Sequence, residues 1–182
     1  MIELGRLAGL RLTAKRSAVV GVLVLWVVFA AAGLALGLSP LTALLGGLAA
    51  TVLHWLSELI HQLGHAWAAR RTGFPMIGIC FWGPLSSTIY PRDEPALPAN
   101  IHIRRALGGP FASTLLTLLG LALLPLFRPL GGVAWLLAQF FVLENLLVFT
   151  AQVFVPLGFN DGSTILYWWR RRGAAVGQTP PQ

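Results

Sequence analysis

The 21 residues from Ala18 to Leu38 contain no charged side chain. At about 1.5 Å per residue, a helix of that length crosses the roughly 30 Å hydrocarbon core of a bilayer. The run is too long for the apolar core of a signal peptide, and no convincing cleavage site follows it, so it reads as a retained span. Composition agrees with a membrane-embedded chain. The sequence is 56% hydrophobic and 10% charged, against about 25% charged in a soluble domain. With 182 residues it is the length of one domain.

The rest of the chain divides by the same logic. Residues 1–17 carry Arg6, Arg11, Lys15 and Arg16 among Leu and Gly, and read as a basic interfacial segment. Ser39-Pro40 makes a turn, and a second helix is expected from about Leu41 to Arg71. Residues 72–99 hold five prolines and three glycines and cannot be a span. Within them, Met76–Trp82 and Leu85–Tyr90 are β-prone runs around Gly83-Pro84, which predicts a short surface hairpin. A third helix is expected from about Ile101 to Leu124, ending at Pro125 and Pro129. A fourth starts near Val133, breaks at Pro156 and Gly158, and resumes to Arg172. Those 40 residues are too many for one straight crossing. Broken helices at membrane depth are tolerated where they line a site. Residues 173–182 are expected to be a disordered tail. The expected fold class is therefore an all-α integral membrane protein of four transmembrane helices, residues 18–172, with a short cytoplasmic β-hairpin and a broken fourth helix.

Charge sets the orientation. Four crossings put both termini on one side, together with every basic residue except Arg128, a split of 12 to 1 among the 13. The positive-inside rule then makes the termini and hairpin cytoplasmic. A net charge of +7 invites a nucleic-acid reading. The basic residues flank apolar helices instead, which favours anionic lipid headgroups as partner and excludes nucleic acid. Cys80 is the only cysteine, so neither an internal disulfide nor a cysteine zinc cluster is possible.

The second helix carries the chemistry. At about 100° per residue, His54, Glu58, His61 and His65 form one polar stripe on an apolar helix. His61 and His65 have the i, i+4 spacing that lets two imidazoles reach one metal ion. A third ligand is needed, and Asp161 is the best candidate. It precedes Arg170 by nine residues, while His61 and His65 precede Arg70 by nine and five, so all three lie at similar depth. Gln62 stands where a zinc protease carries its general base, and Glu58, one turn earlier, is a possible displaced base or extra ligand. Ionisable groups at this depth are costly and mark function by default. His54 suits a structural role, pairing with Glu144 near mid-membrane, and Asn145 and Gln139 suit helix–helix contacts. Gly46-Gly47 and Gly108-Gly109 suit close helix approach.

Three stretches together resemble a known family. His61-Gln62-Leu63-Gly64-His65-Ala66 resembles the HExGHA signature of site-2 proteases, the intramembrane zinc metalloproteases. Pro156-Leu-Gly-Phe-Asn-Asp161-Gly162 resembles that family's second motif, and Gly109-Pro110 its intervening helix. The resemblance covers roughly residues 41–170. It implies zinc held by His61, His65 and Asp161, and cleavage of transmembrane protein substrates near the interface. By analogy it also implies a bacterial inner membrane. Two departures stand out. Gln62 replaces the family's catalytic glutamate, and an amide cannot take a proton from water on a metal. Val153 stands where the family often has asparagine, a place that Gln152 or Asn145 would have to fill. Three functions follow: a zinc-dependent protease-like protein with the hairpin presenting substrate by strand addition, a pseudoprotease that binds or regulates a membrane partner, or a metal-free scaffold.

Overall fold

Ser39 ends the first turn region and starts the second long helix. Its hydroxyl accepts a hydrogen bond from the Thr42 N–H at 3.3 Å, and Pro40 takes the first helical position, where its missing N–H costs nothing. The computed structural model of the protein describes residues 1–172, so the expected tail at 173–182 lies outside the described residues. Helix α1 runs Arg16–Ala35 and α2 runs Pro40–Arg71. Helices α3, Ala99–Ala106, and α4, Gly108–Phe127, follow end to end. Helix α5, Gly132–Leu143, continues through a π-helical stretch at Glu144–Thr150 and a 3₁₀ turn at Ala151–Phe154. The chain then breaks before α6, Asp161–Trp169. Four helical stretches are long and apolar enough to cross a membrane: Arg16–Ala35, Pro40–Arg71, Ala99–Leu130 and Gly132–Phe154.

Their packing is that of helices in lipid. The buried positions of α1 are Ala18, Gly21, Ala30 and Gly33, while Val19, Val20, Leu23, Val24, Val27 and Val28 are exposed. A soluble helix would bury its large apolar residues. Between helices in a bilayer small residues give close backbone contact, and large apolar ones face the tails. Gly64 and Gly108 do the same between α2 and α4: a Cβ on Gly64 would lie 2.3 Å from the Gly108 carbonyl oxygen.

Three expectations need correction. Residues 1–17 are more than a basic segment: Ile2–Leu7 is strand β1 and Leu10–Ala14 is strand β2. Ala8 and Gly9 both have positive φ, +51° and +82°, as the central pair of a type I′ hairpin turn requires. The expected hairpin forms at β3, Gly78–Trp82, and β4, Leu85–Ile89, but it belongs to a four-stranded sheet of order β1-β2-β3-β4. Strand β2 pairs parallel with β3, and both outer pairs are antiparallel. Third, the helix expected to stop near Leu124 passes through Pro125 to Phe127. A proline so near a helix end breaks only one backbone bond. The sheet packs on the C-terminal half of α2 through Leu10, Met76 and Ile79 against Ala66 and Ala69. The Arg70 guanidinium donates to the Ala8 carbonyl and ties the β1–β2 turn to the end of α2.

Candidate metal centre

His61 and His65 sit one turn apart on α2 and are 3% and 4% exposed. Asp161 opens α6 and reaches them from the far side of the chain break. Asn160 makes this possible: its side chain caps α6 at Ser163, and its amide donates to the Val155 and Gln152 carbonyls. The break at 155–160 is thereby folded back so that Asp161 faces the two histidines. Its Oδ2 is 3.1 Å from His61 Nε2, and its Oδ1 is 3.3 Å from His65 Nε2. The two Nε2 atoms are themselves 3.1 Å apart. Among the described residues these three side chains form the group whose ligand atoms all lie within 4.8 Å of one another.

The surrounding hydrogen bonds set the ring tautomers. His65 Nδ1 faces the Arg105 carbonyl at 2.8 Å. The Gly109 N–H also points at Nδ1, at 3.2 Å, but the shorter contact is to a carbonyl, which only accepts, so Nδ1 carries the proton and the Nε2 lone pair points into the cluster. His61 Nδ1 lies 2.9 Å from Ser113 Oγ, where donation to the hydroxyl leaves Nε2 free in the same way. Partners of this kind orient metal-binding imidazoles and raise their basicity. Gly109 of α4 supplies the space. A Cβ there would lie 2.3 Å from His65 Nε2 and 2.4 Å from His61 Nε2. Two imidazole lone pairs, one carboxylate and a gap that only glycine leaves open suit a divalent metal such as zinc.

Gln62 and Glu58 take different places. Gln62 lines a cleft of about 290 Å³ together with His65, Ser86, Thr88, Arg105 and Asp161. Its Nε2 donates to Glu58 Oε1 at 3.4 Å, and its buried Oε1 has no partner among the described residues. Glu58 does not join the cluster. Its Oε1 accepts from the Ser86 N–H at 2.9 Å and from the Ser86 hydroxyl, so it anchors strand β4 to α2. Neither candidate for the family's asparagine reaches the cluster. Asn145 donates to Ser57 Oγ at 2.9 Å and to the Phe141 carbonyl, the helix contact expected of it. The Gln152 side chain donates to the Phe149 carbonyl.

No protein-family model matches the sequence, and no curated protein matches it. Among solved structures, a site-2 protease from Methanocaldococcus jannaschii matches with a TM-score of 0.65 over 95% of this chain and 73% of that one, at 15% identity. The chain has the fold of a site-2 protease. At that identity the likeness is one of fold. Within the fold, the two histidines of α2 and the aspartate after the broken helix meet as the sequence motifs require. Sequence reading missed Ser113 and the Arg105 carbonyl, which orient the rings, because both depend on how α3 and α4 pack against α2. It did note Gly108-Gly109 as helix contact and Gly109-Pro110 as resembling the family's intervening helix, with no contact to the histidines assigned. Gly108 fills that role against Gly64, while Gly109 faces the imidazoles.

Proposed function

We propose that this chain is a zinc-binding, site-2-protease-like membrane protein that takes a transmembrane protein substrate into the cleft beside His65, Asp161 and β4. The observation that carries the reading is the convergence of His61 Nε2, His65 Nε2 and the Asp161 carboxylate opposite Gly109. Zinc held there would supply Lewis-acid polarisation of a peptide carbonyl and activation of water. The chain's own residues do the rest. Ser113 and the Arg105 carbonyl hold the rings in register, and β4 offers an edge beside the cleft for an extended segment to join. Gln62 Oε1 is free to accept a hydrogen bond from water or substrate but takes no proton, so hydrolysis by this chain is far slower than by the same cleft with a glutamate. That same orphaned amide oxygen favours a second reading, a pseudoprotease that binds a membrane partner without cutting it.

Elemental analysis of the detergent-purified protein tests the metal. About one zinc per chain, lost in Asp161→Ala, is expected; no zinc in either protein after supplementation leaves the metal-free scaffold. Turnover of a transmembrane peptide by Gln62→Glu tests the chemistry. A gain of roughly 10²–10⁴-fold, the usual worth of a general base, that a chelator abolishes is expected of a protease-like site. No gain at full zinc occupancy leaves the pseudoprotease.

A further inference from the structure

Two members of the polar stripe on α2 are not among the proposed metal ligands, and both hold the same hairpin. Glu58 grips Ser86 on β4. One turn earlier, His54 Nε2 lies 2.8 Å from the Pro84 carbonyl in the hairpin turn. The other ring nitrogen, Nδ1, lies 2.6 Å from Glu144 Oε1 on the π-helical stretch after α5. His54 and Glu144 are 5% and 7% exposed. From α1 the turn is closed in by Gly21, where a Cβ would sit 1.9 Å from the Gly83 carbonyl oxygen. The tip of the hairpin is therefore threaded between α1 and α2, with His54 at its inner end.

Counting protons fixes the state of this contact. The Pro84 carbonyl only accepts, so Nε2 carries a proton. The short Nδ1–Oε1 contact needs a second proton between its two atoms, wherever that proton sits. The pair thus holds two protons and no net charge, which suits an apolar site at membrane depth. Trp55 and Phe149 pack on the imidazole. Of the titratable groups, Glu144 faces the ring directly and Glu58 acts on it from along α2. Glu144 Oε2 has no partner among the described residues. A full carboxylate there would be costly, and the shared proton lowers that cost.

We infer that His54 and Glu144 form a proton-sharing positioning pair that clamps the turn of the β3–β4 hairpin into the bundle and so fixes β4 beside the histidine–aspartate cluster. The clamp joins three elements: the helix that carries His61 and His65, the strand that walls the cleft, and the span whose broken end delivers Asp161. The inference rests on the reading of that cleft as the working site only for what is being positioned. With Glu144 replaced by an amide, the NH2 group can donate to an unprotonated His54 Nδ1 and the clamp is kept; with Glu144 replaced by methionine, of similar length but without a polar end, Nδ1 has no partner at position 144.

The test is a distance measurement between nitroxides at Ser87→Cys on β4 and Arg71→Cys at the end of α2, in a Cys80→Ser background; Ser87 and Arg71 are exposed. The parent is expected to give one narrow distance. His54→Phe and Glu144→Met are each expected to lose it, giving a broad distribution, Glu144→Gln is expected to keep it, and the His54→Phe/Glu144→Met double variant is expected to be no broader than either single one. A packing role without the hydrogen bond predicts additive broadening, or no effect of Glu144→Met, which fills similar space, and either result overturns the inference. If His54→Phe does not fold, Glu144→Met against Glu144→Gln decides alone. The readout needs neither metal nor turnover. A zinc-free parent that shows the coupled loss would overturn the metal reading and keep this one.

Discussion

Gly109 is the residue on which the proposed metal centre depends most directly without being one of its proposed ligands. A methyl group there would enter the space between the two imidazoles, 2.3 Å and 2.4 Å from their Nε2 atoms, where no Cβ is normally found. The expected result for Gly109→Ala is a loss of at least about tenfold in zinc affinity, within the range seen when the groups around metal ligands are disturbed. The metal-free protein should keep its fold, because the clash is with the ends of two side chains that can turn aside, while the Gly64–Gly108 contact between the helices is left as it is. Zinc titration alongside circular dichroism checks both halves; unchanged affinity would place the metal elsewhere. The clustering of His61, His65 and Asp161 was legible in the sequence for physical reasons. Helical periodicity puts His61 and His65 on one face, and distance from the flanking arginines puts Asp161 at their depth. Ser113, the Arg105 carbonyl and Gly109 were not legible as site residues, because what they touch is decided only when α3 and α4 are packed against α2. Glu58 was read as a possible base from its face angle alone. That angle says nothing about β4, whose Ser86 takes up the carboxylate.

At the scale of elements, the contact between α2 and α4 sets the distance from the histidines to the residues that orient them. Gly64 lies between His61 and His65 in sequence and backs onto Gly108: a Cβ on Gly64 would lie 2.3 Å from the Gly108 carbonyl oxygen, and one on Gly108 2.4 Å from that of Gly64. Gly64→Ala should therefore push the helices apart and cost about 1–3 kcal/mol, the usual penalty of overpacking a tight contact. It should also lengthen the bonds of His61 to Ser113 and of His65 to the Arg105 carbonyl. Thermal unfolding in detergent checks the first effect and zinc affinity the second; an unchanged melting temperature would mean that the helices are not in contact there. The helices were legible because long apolar runs in lipid have few alternatives. The β1–β2 hairpin was not. Its strands are six and five residues long, and their identity as strands depends on pairing with β3, which follows some sixty residues later. The π-helical stretch at Glu144–Thr150 is invisible to a 3.6-residue pattern for the same reason: Glu144 is held by His54, from a different span.

For the whole molecule, one layout accounts for both the charges and the site. The sheet, the ends of α2 and α6, and the start of α3 lie at one end of the four spans. That end carries every basic residue except Arg128, which follows α4 at the other end. Lys and Arg are retained on the cytoplasmic side during insertion, so the 12-to-1 distribution predicts that the metal cluster and cleft open toward the cytoplasm. The arginines next to apolar surface also suit anionic headgroups. The prediction is checked with single cysteines at Arg6 and at Arg128, each in a Cys80→Ser background, expressed in a bacterial inner membrane. A membrane-impermeant maleimide added to intact, outer-membrane-permeabilised cells should label the cysteine at position 128 and spare the one at position 6. Lysis should make position 6 reactive. The reverse pattern would place the cleft on the outer face, and the basic residues would then have to be explained by something other than insertion. A cytoplasmic cleft also fixes which part of a transmembrane substrate can reach Asp161. Its cytoplasmic juxtamembrane turn would have to unwind to lie along β4, so substrates with helix-breaking residues at that depth should bind more tightly than uninterrupted helices.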